Sequence, residues 1–586
     1  MPADIEGGAF YTGTMPVHNA DVAAAFSEIA DLLEIENANP FRVRAYRNAA
    51  RVLADSGADV CAMAAAGEDL KVLPGIGTDL AAKIREIAET GKCAFLDRLR
   101  GEVPPAVSEL LHIPGLGPAR VRVLWHVLGV ETLDQLRQAA LEGRVRQVPG
   151  FGEKTEQKIL TAVEAHLSKA KRFKLAVALQ YVDALLGHLR AVPGVDRAAV
   201  AGSFRRGRDT VGDVDVLVTA AAGSPVMAAF MGYDEVAEVL ANGPTRASAR
   251  LLCGLQVDLR LVAPESYGAA LYYFTGSKAH NIAVRRLAQD RGLKINEYGV
   301  FRGEVRIAGD TEASVFAAVG LPWIPPELRE DRGEIEAALE GRLPKLVELD
   351  DLRGDLHCHT DATDGRDSLE DMARAAAAAG LSYLAVTDHS QRLAVVRGLD
   401  AERLARQGEE IDRLNAALKG IRLLKGIEVD ILEDGSLDLP DAVLARLDVV
   451  IGAVHSHFDL PPARQTARIL KAMDHPHFTM LAHPSGRLID ERAAYEADMA
   501  RIVRHARERG CWLELDSQPD RLDLDDHWCK AAKEEGVPVS IDSDAHGVRD
   551  FANLRFGIGQ ARRGWLEAQD VVNTRPLAQL RRLLKR

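Results

Sequence analysis

Two carboxylates, Asp213 and Asp215, stand in the run Asp213-Val214-Asp215-Val216-Leu217-Val218. Side chains alternate along an extended strand, so the two acids share one face and Val214, Val216 and Val218 take the other. Paired carboxylates repel unless a hard cation lies between them, and Mg2+ held by carboxylates plus substrate phosphates answers that need. Just upstream, Gly202-Ser203-Phe204-Arg205-Arg206-Gly207 supplies a Gly-Ser turn followed by a basic pair. Such a turn, with Arg206 beside it, can hold the phosphates of the same substrate. A third acid, Asp258, sits in Gln256–Leu261, where Val257, Leu259 and Leu261 face a core and Asp258 faces away. An isolated Asp-x-Asp is usually a solvated pair. Joined to the turn and to a third acid, it points to metal-dependent nucleotidyl transfer.

A second set of reactive residues fills the last 236 residues, which hold 11 of the 17 histidines. They follow apolar runs: Leu352–Leu356 into His357-Cys358-His359, Tyr383–Val386 into Thr387-Asp388-His389, and Leu423–Ile427 into Glu428. Val449–Val454 leads into His455, Thr479–Ala482 into His483, Trp512–Leu515 into Asp516, and Val537–Ile541 into Asp542-Ser543-Asp544-Ala545-His546. Seven strands alternating with helices predict a parallel barrel with polar residues at the strands' carboxyl ends. A rim of His, Asp and Glu suits a multinuclear Zn2+ or Mn2+ site that activates water and clamps a phosphate. His457, His475, His477, His505 and His527 read as surface or core histidines.

The elements that must position these groups are preceded by a repeat. Leu73-Pro74-Gly75-Ile76-Gly77, Ile113-Pro114-Gly115-Leu116-Gly117 and Val148-Pro149-Gly150-Phe151-Gly152 share one pattern, each followed by a helical run. This is a helix-hairpin-helix signature: the glycines allow the tight turn and let backbone N–H groups approach a phosphate. Three copies favour sequence-independent binding to a DNA backbone. Upstream, Val22, Phe26, Ile29 and Leu33 have helical spacing, and Asn39–Arg47 opens a second helix rich in arginine. Residues 1–15 read as loose, and residues 155–192 read as helix with a basic, linker-like start at Lys169–Lys174. Tyr272–Ser277 precedes a helix that presents Asn281 and Arg285 on one face. Residues 328–350 read as a charged linker with a short helix.

The chain's 586 residues suggest three or four domains, and 47% hydrophobic with 27% charged residues describes an ordinary globular protein. A net charge of −13 excludes a global basic footprint, so a polyanion must be held locally. Candidate patches are Arg42/Arg44/Arg47, Lys171/Arg172/Lys174 and Arg205/Arg206/Arg208. Six scattered cysteines without a C-x-x-C pair indicate a reducing compartment. No apolar stretch approaches membrane-spanning length and no signal-peptide pattern opens the chain, so a cytoplasmic location is expected.

Residues 19–330 resemble the X family of DNA polymerases, of the polymerase beta type, and residues 351–586 resemble the PHP phosphoesterase domain. The resemblance rests on the hairpin turns, Gly-Ser-Phe-Arg-Arg-Gly, Asp-x-Asp, the third Asp and Tyr-Phe-Thr-Gly-Ser, which occur in the family's order. It implies a multidomain α+β and α/β fold: helical helix-hairpin-helix modules, a nucleotidyltransferase palm with a mixed β-sheet, and a distorted seven-stranded (β/α) PHP barrel. The implied units are a gap-binding helical domain (1–98), a second helical DNA-binding domain (99–175) and the palm (176–262). A nascent-base-pair subdomain (263–330), a linker (331–350) and the PHP domain (351–586) follow.

By the same resemblance, Asp213, Asp215 and Asp258 hold two Mg2+ or Mn2+ ions. Gly202, Ser203 and Arg206 bind the triphosphate; Tyr273, Phe274 and Gly276 line the sugar; Asn281 meets the base and Arg285 the template. Arg42, Tyr46 and Arg47 grip a 5′-phosphate, and Gly75, Gly77, Gly115, Gly117, Gly150 and Gly152 meet the DNA backbone. Lys83 falls at the Schiff-base lysine of lyase-active relatives, where Asp79 replaces a basic residue. In the barrel, His357, His359, Glu428 and Asp544 map onto one metal; Glu428, His455 and His483 onto a second; Asp364, His389 and His546 onto a third, with Zn2+ or Mn2+ in up to three positions. The implied activity is gap-filling DNA synthesis in base excision repair, on gapped or primer-template DNA with dNTPs, by a monomer. A 3′→5′ exonuclease accompanies it, with AP endonuclease or lyase activity left open. A nucleotidyltransferase acting on RNA or a small molecule and a DNA-bridging scaffold are the alternatives; the hairpins and Tyr273–Ser277 speak against the first, the intact metal-site candidates against the second.

Overall fold

The computed structural model describes residues 17–54, 56, 58–113, 115–168, 172–393 and 396–584. Residues 1–15, Pro114 of the second hairpin and Lys171 of the basic patch lie outside these described residues. The chain forms two compact units: residues 1–172 with 232–237 and 251–254, and the remainder from Phe173 to the C-terminus.

The first unit is helical. Helices Asn19–Ile35 and Pro40–Ala54 pack through Val22, Phe26, Ile29, Tyr46, Ala49 and Leu53, all buried. Phe26 meets Tyr46 edge-on, ring centroids 5.5 Å apart. Each fully buried Phe or Leu contributes roughly 2 kcal/mol by leaving water. The three hairpin turns share one geometry. Gly75, Gly115 and Gly150 sit at φ +65°, +91° and +89°, where an L side chain is strained. The backbone N–H groups of Ile76, Leu116 and Phe151 donate back to Leu73, Ile113 and Val148, and all three apolar side chains are buried. Helices Thr78–Thr90, Pro118–Leu128 and Glu153–Ser168 follow, so each turn delivers a helix N-terminus.

Residues 155–192, read as helix with a linker-like Lys169–Lys174, form two helices. Glu153–Ser168 ends the first unit, Phe173–Lys174 forms a short strand, and Leu175–Arg190 is a separate helix. The break arises because Phe173 and Lys174 pair antiparallel with Thr210–Val211.

The second unit opens with a mixed five-stranded sheet. Asp213–Ala220 runs antiparallel to Val195–Val200 and parallel to Gln256–Leu261, which pairs antiparallel with Arg246–Leu251. Helices Tyr267–Thr275 and Lys278–Gln289 lead into a three-stranded antiparallel sheet over Lys294–Ala308. The segment read as a linker is packed: helix Glu334–Leu339 buries Ile335 and Ala338 in the same cluster as Leu321, Ile324 and Leu346.

Seven parallel strands then form the barrel: Gly354–Asp355, Tyr383–Val386, Arg422–Asp430, Val449–Ala453, Met480–Leu481, Trp512–Asp516 and Val539–Asp542. A parallel bridge between Cys358 and Ala545 brings its two edges together, so it is nearly closed. Period-two alternation sorts the side chains. Tyr383 and Ala385 pack with Leu424, Ile451, Trp512 and the C-terminal residues Val572 and Leu580, whereas Leu384 and Val386 pack with Met372 and Ile411 of the surrounding helices. No helix among the described residues is long and apolar enough to cross a membrane.

Candidate active sites

In the palm, strand register brings the three acids together. Parallel pairing sets Asp215 directly beside Asp258, with Asp213 beside Gln256. Asp213 is exposed, whereas Asp258 is 9% exposed. Asp258 accepts hydrogen bonds from the Ser248 hydroxyl and, at 3.0 Å, from Gln256 Nε2, which fix its plane. Burial and the neighbouring Asp213 and Asp258 push the Asp215 carboxyl up to about 6. Three acids crowded enough to hold back one proton form a donor set that fits hard divalent cations.

Gly202 completes this site through what it lacks. It has φ +63°, and a Cβ there would lie 2.7 Å from Asp215 Oδ2. The Ala201 N–H donates to the Asp215 carbonyl at 2.8 Å, tying the Gly202 turn to the strand that carries Asp213 and Asp215. That turn is a short helical segment, Gly202–Arg205. Arg206 Nε donates to Glu330 at 3.0 Å and Nη1 to the Thr275 carbonyl at 2.5 Å. Gly276 sits tightly here too, its notional Cβ 3.2 Å from Arg206 Nη1. Tyr273 and Phe274 meet edge to face at 5.1 Å, with the Arg260 guanidinium 4.1 Å from the Phe274 centroid. Asn281 Nδ2 donates to the Tyr273 carbonyl at 2.7 Å and Arg285 Nε to the Asn281 carbonyl at 3.2 Å, so both are tied to the segment carrying the aromatic pair.

In the barrel, all nine candidate ligands converge where the strands end. His357 Nε2 and His359 Nε2 face each other at 3.1 Å, and His359 Nε2 lies 3.0 Å from Asp544 Oδ1. Glu428 stands at the centre: Oε1 is 2.9 Å from His483 Nε2 and 3.2 Å from His455 Nε2, and Oε2 is 2.6 Å from His389 Nδ1. Asp364 Oδ2 lies 3.4 Å from His389 Nε2 and 3.5 Å from His546 Nε2. Three groups could each hold a metal ion: His357, His359 and Asp544; His389, Glu428 and His455; His359, Asp364, His389 and His546. His359 and His389 thus bridge groupings that the sequence kept apart.

The buried atoms His359 Nδ1, Asp364 Oδ1, His389 Nδ1 and Glu428 Oε2 make no hydrogen bond, because even the close His389–Glu428 pair is misdirected. Buried ring nitrogens and carboxylate oxygens crowded together without hydrogen bonds fit metal ions. The electrostatics are divided: burial opposes charge, yet neighbouring acids hold His357, His389, His455 and His546 above the ordinary histidine value, whereas burial leaves His359 and His483 below it. Burial opposes charge on Glu428, yet His389, His455 and His357 hold its carboxyl far below the usual range. Burial, with His546 and His389 nearby, pushes the His359 imidazole down, towards the neutral form a ligand needs.

Several supporting residues are not among the ligands that the sequence predicts. Glu514 Oε1 lies 2.6 Å from His357 Nδ1, its other oxygen accepts the His483 N–H, and Asp430 Oδ1 lies 2.6 Å from His455 Nδ1. Such carboxylates fix the tautomer and direction of a ligand histidine. Asp388 buttresses the rim by accepting from Thr360, Thr363 and Gln407. Arg521 Nε sits 3.4 Å from Asp516.

In the helical unit, Tyr46 stacks on Phe95 at 5.9 Å, and the Arg42 guanidinium and Lys83 Nζ lie 4.7 and 5.4 Å from the same ring. Phe95, unremarked in the sequence, gathers these groups. Arg47 pairs with Asp31 at 2.7 Å and Glu34 at 2.5 Å, and Lys83 with Asp79 at 2.5 Å.

Comparison with known proteins matches each of these parts. Residues 17–93 match a helix-hairpin-helix domain and 107–165 a SAM-like helix-hairpin-helix tandem. Residues 179–241 match the DNA polymerase beta palm, 270–330 the DNA polymerase beta thumb and 355–541 the PHP domain. The chain is 38% identical to DNA polymerase/3′-5′ exonuclease PolX of Bacillus subtilis (strain 168), over 97% of this chain and all of the relative. It is 27% identical to DNA polymerase lambda of Rattus norvegicus, over 44% of this chain and 48% of that protein. A probable phosphatase of Thermoanaerobacter sp. (strain X514) is 28% identical over 38% of this chain and 89% of the relative. Hairpins, palm, thumb and barrel follow one another along this chain, which aligns with the Bacillus subtilis relative over nearly its whole length, and the protein belongs to the family X DNA polymerases that carry a C-terminal PHP domain.

Proposed function

We propose that this polymerase and 3′→5′ exonuclease fills short gaps in DNA during repair, extending a primer in the palm and trimming 3′ ends in the barrel. The observation that carries the reading is the register that sets Asp215 against Asp258, next to Asp213 and the Gly202 turn. In the palm, Asp213, Asp215 and Asp258 would hold Mg2+ or Mn2+. Ions there supply positive charge that eases deprotonation of the primer hydroxyl and compensates the leaving diphosphate. The chain's own groups do the positioning. Asp258, its plane fixed by Ser248 and Gln256, is oriented to take the proton from the primer 3′-hydroxyl. The 3′-oxygen bonds to the α-phosphorus as the bond to the β-phosphate oxygen breaks, and pyrophosphate leaves. Ser203 and Arg206 hold the triphosphate, and the close backbone at Gly276 disfavours a 2′-hydroxyl.

In the barrel, the nine rim residues would hold up to three Zn2+ or Mn2+ ions, which supply an activated water for phosphodiester cleavage. Glu514 and Asp430 keep His357 and His455 turned inward, and Arg521 extends the rim with a cation for a phosphate. The three hairpins and the Phe95 cluster would hold the DNA backbone. Five of the six cysteines are buried and all six are thiols rather than disulfides, which suits a reduced cytoplasm, where we expect the protein to act as a monomer.

The experiment is gap filling and 3′ degradation measured side by side. Asp213→Ala abolishes extension of a one-nucleotide gap and spares degradation; His359→Ala does the reverse. Extension that survives Asp213→Ala, or degradation that survives His359→Ala, sinks the corresponding half of the reading.

A further inference from the structure

Five charged residues join the palm and thumb to the barrel in one partly buried network. Glu330 Oε1 accepts from Arg206 Nε at 3.0 Å and from Arg563 Nη1 at 2.9 Å. The same Arg563 Nη1 donates to the Arg206 carbonyl at 2.9 Å, and Arg563 Nη2 donates to Asp526 at 2.6 Å. Arg332 reaches Asp526 at 2.7 Å. Arg563 closes the barrel helix Leu554–Arg563, its side chain only 1% exposed. Three guanidiniums thus meet two carboxylates, and one positive charge is left over.

That surplus stands beside the polymerase site. With Nε and Nη1 of Arg206 engaged, its Nη2 carries no hydrogen bond among the described residues and is the edge left for an anion. Arg206 also lies close enough to Asp215 to pull its carboxyl down. One oxygen of Glu330 is shared between two cations, so Glu330 competes with any bound phosphate for Arg206, and Arg563 draws off part of that competition.

We propose that the exonuclease barrel tunes nucleotide affinity in the polymerase: Arg563, acting through Glu330, is a positioning residue that keeps Arg206 available to the triphosphate of an incoming dNTP. This rests on the reading of Arg206 as a triphosphate contact. Without Arg563, the full charge of Glu330 falls on Arg206. Without Glu330, the competitor is gone and Arg563 has nothing left to relieve.

The test is steady-state gap filling on the full chain, separating KM for dNTP from kcat. Arg563→Gln raises KM about fivefold, the scale of one partly buried charge pair, with kcat within about twofold. Glu330→Gln lowers KM, and the double variant matches Glu330→Gln alone. Arg563→Lys, which keeps the charge, stays near wild type. A purely structural role would raise KM in every variant. The 3′ degradation rate, read on the same samples, reports whether the barrel is folded; should Arg563→Gln lose it, Glu330→Gln alone carries the test. An unchanged KM in a folded Arg563→Gln, or a KM that does not fall in Glu330→Gln, overturns the proposal. Arg206→Gln separates the two readings: if it leaves KM unaltered, the assignment of Arg206 fails; if it raises KM while the Glu330 and Arg563 pattern is missing, only the coupling fails.

Discussion

At the scale of single residues, the palm and the helical unit treat protons in opposite ways. Asp215, pushed up to about 6 by burial and its acidic neighbours, holds a proton in mildly acid solution that a metal ion must displace. Affinity for Mg2+ or Mn2+ at this site should therefore be constant above about pH 7 and fall about tenfold per unit below about 6. Titration calorimetry in buffers of different ionisation enthalpy reads the released proton directly, with Asp215→Asn as the reference; an affinity flat from about pH 5 to 7 contradicts the argument. Lys83 behaves in the other sense. Burial disfavours its charge, but the Asp79 hydrogen bond and Tyr46 outweigh burial and hold its pKa above the ordinary lysine value. A Schiff base needs the neutral amine. Borohydride trapping of this protein on DNA with an abasic 5′ end should accordingly give little adduct, and more once Asp79→Ala frees the amine. Efficient trapping by the wild type, lost in Lys83→Ala, would reinstate lyase chemistry.

At the scale of elements, three hairpins of one backbone shape differ in charge. Asp79 stands in the first turn of Thr78–Thr90 and Glu153 and Glu156 in that of Glu153–Ser168, whereas Pro118–Leu128 has no acid there and carries Arg120 and Arg122. Acids at a helix N-terminus occupy the positive end of the dipole and repel phosphate. The second hairpin should hold DNA most strongly: Gly115→Val weakens binding to gapped duplex about tenfold in a fluorescence titration, and Gly150→Val much less. Equal losses would mean that the turn's shape matters and its charge does not. Repeats and strand ends of this kind are legible in sequence because apolar runs stop abruptly at polar residues. The run Val537–Ile541 predicts the strand Val539–Asp542, and the rim residues Asp544 and His546 follow it directly. Partnerships across the chain leave no local trace. Nothing near His357 announces Glu514, and nothing near Lys174 announces its pairing with Thr210. Residues 331–350 look like a linker because they are charged, yet Glu334 is buried against His280 at 2.6 Å, a contact between positions 54 residues apart.

At the scale of the second unit as a whole, polymerase and exonuclease are built as one body rather than two beads. Lys174 lies 3.2 Å from Glu491 and also pairs with Asp520; Arg487 meets Asp209 at 3.2 Å and Arg562 meets Glu327 at 2.7 Å. Leu175 and Leu179 of the first palm helix pack on Ile489, Leu522 and Phe556 of the barrel. The Lys174 contact also braces the barrel loop that carries Arg521, since Asp520 is its neighbour in sequence. Removing one partner of a partly buried ion pair leaves the other's charge uncompensated. Residues 17–350 made alone would leave Lys174, Asp209, Glu327 and Arg332 without these partners and Glu330 with Arg206 alone, beside an uncovered apolar patch. Their palm should melt at least about 5 °C below that of the full chain, with dNTP binding weakened in step. Differential scanning calorimetry on the two forms decides the matter. Were the truncated chain to melt with the full one and bind dNTP equally well, the barrel would be a passenger, and the shared body described here would have no energetic content.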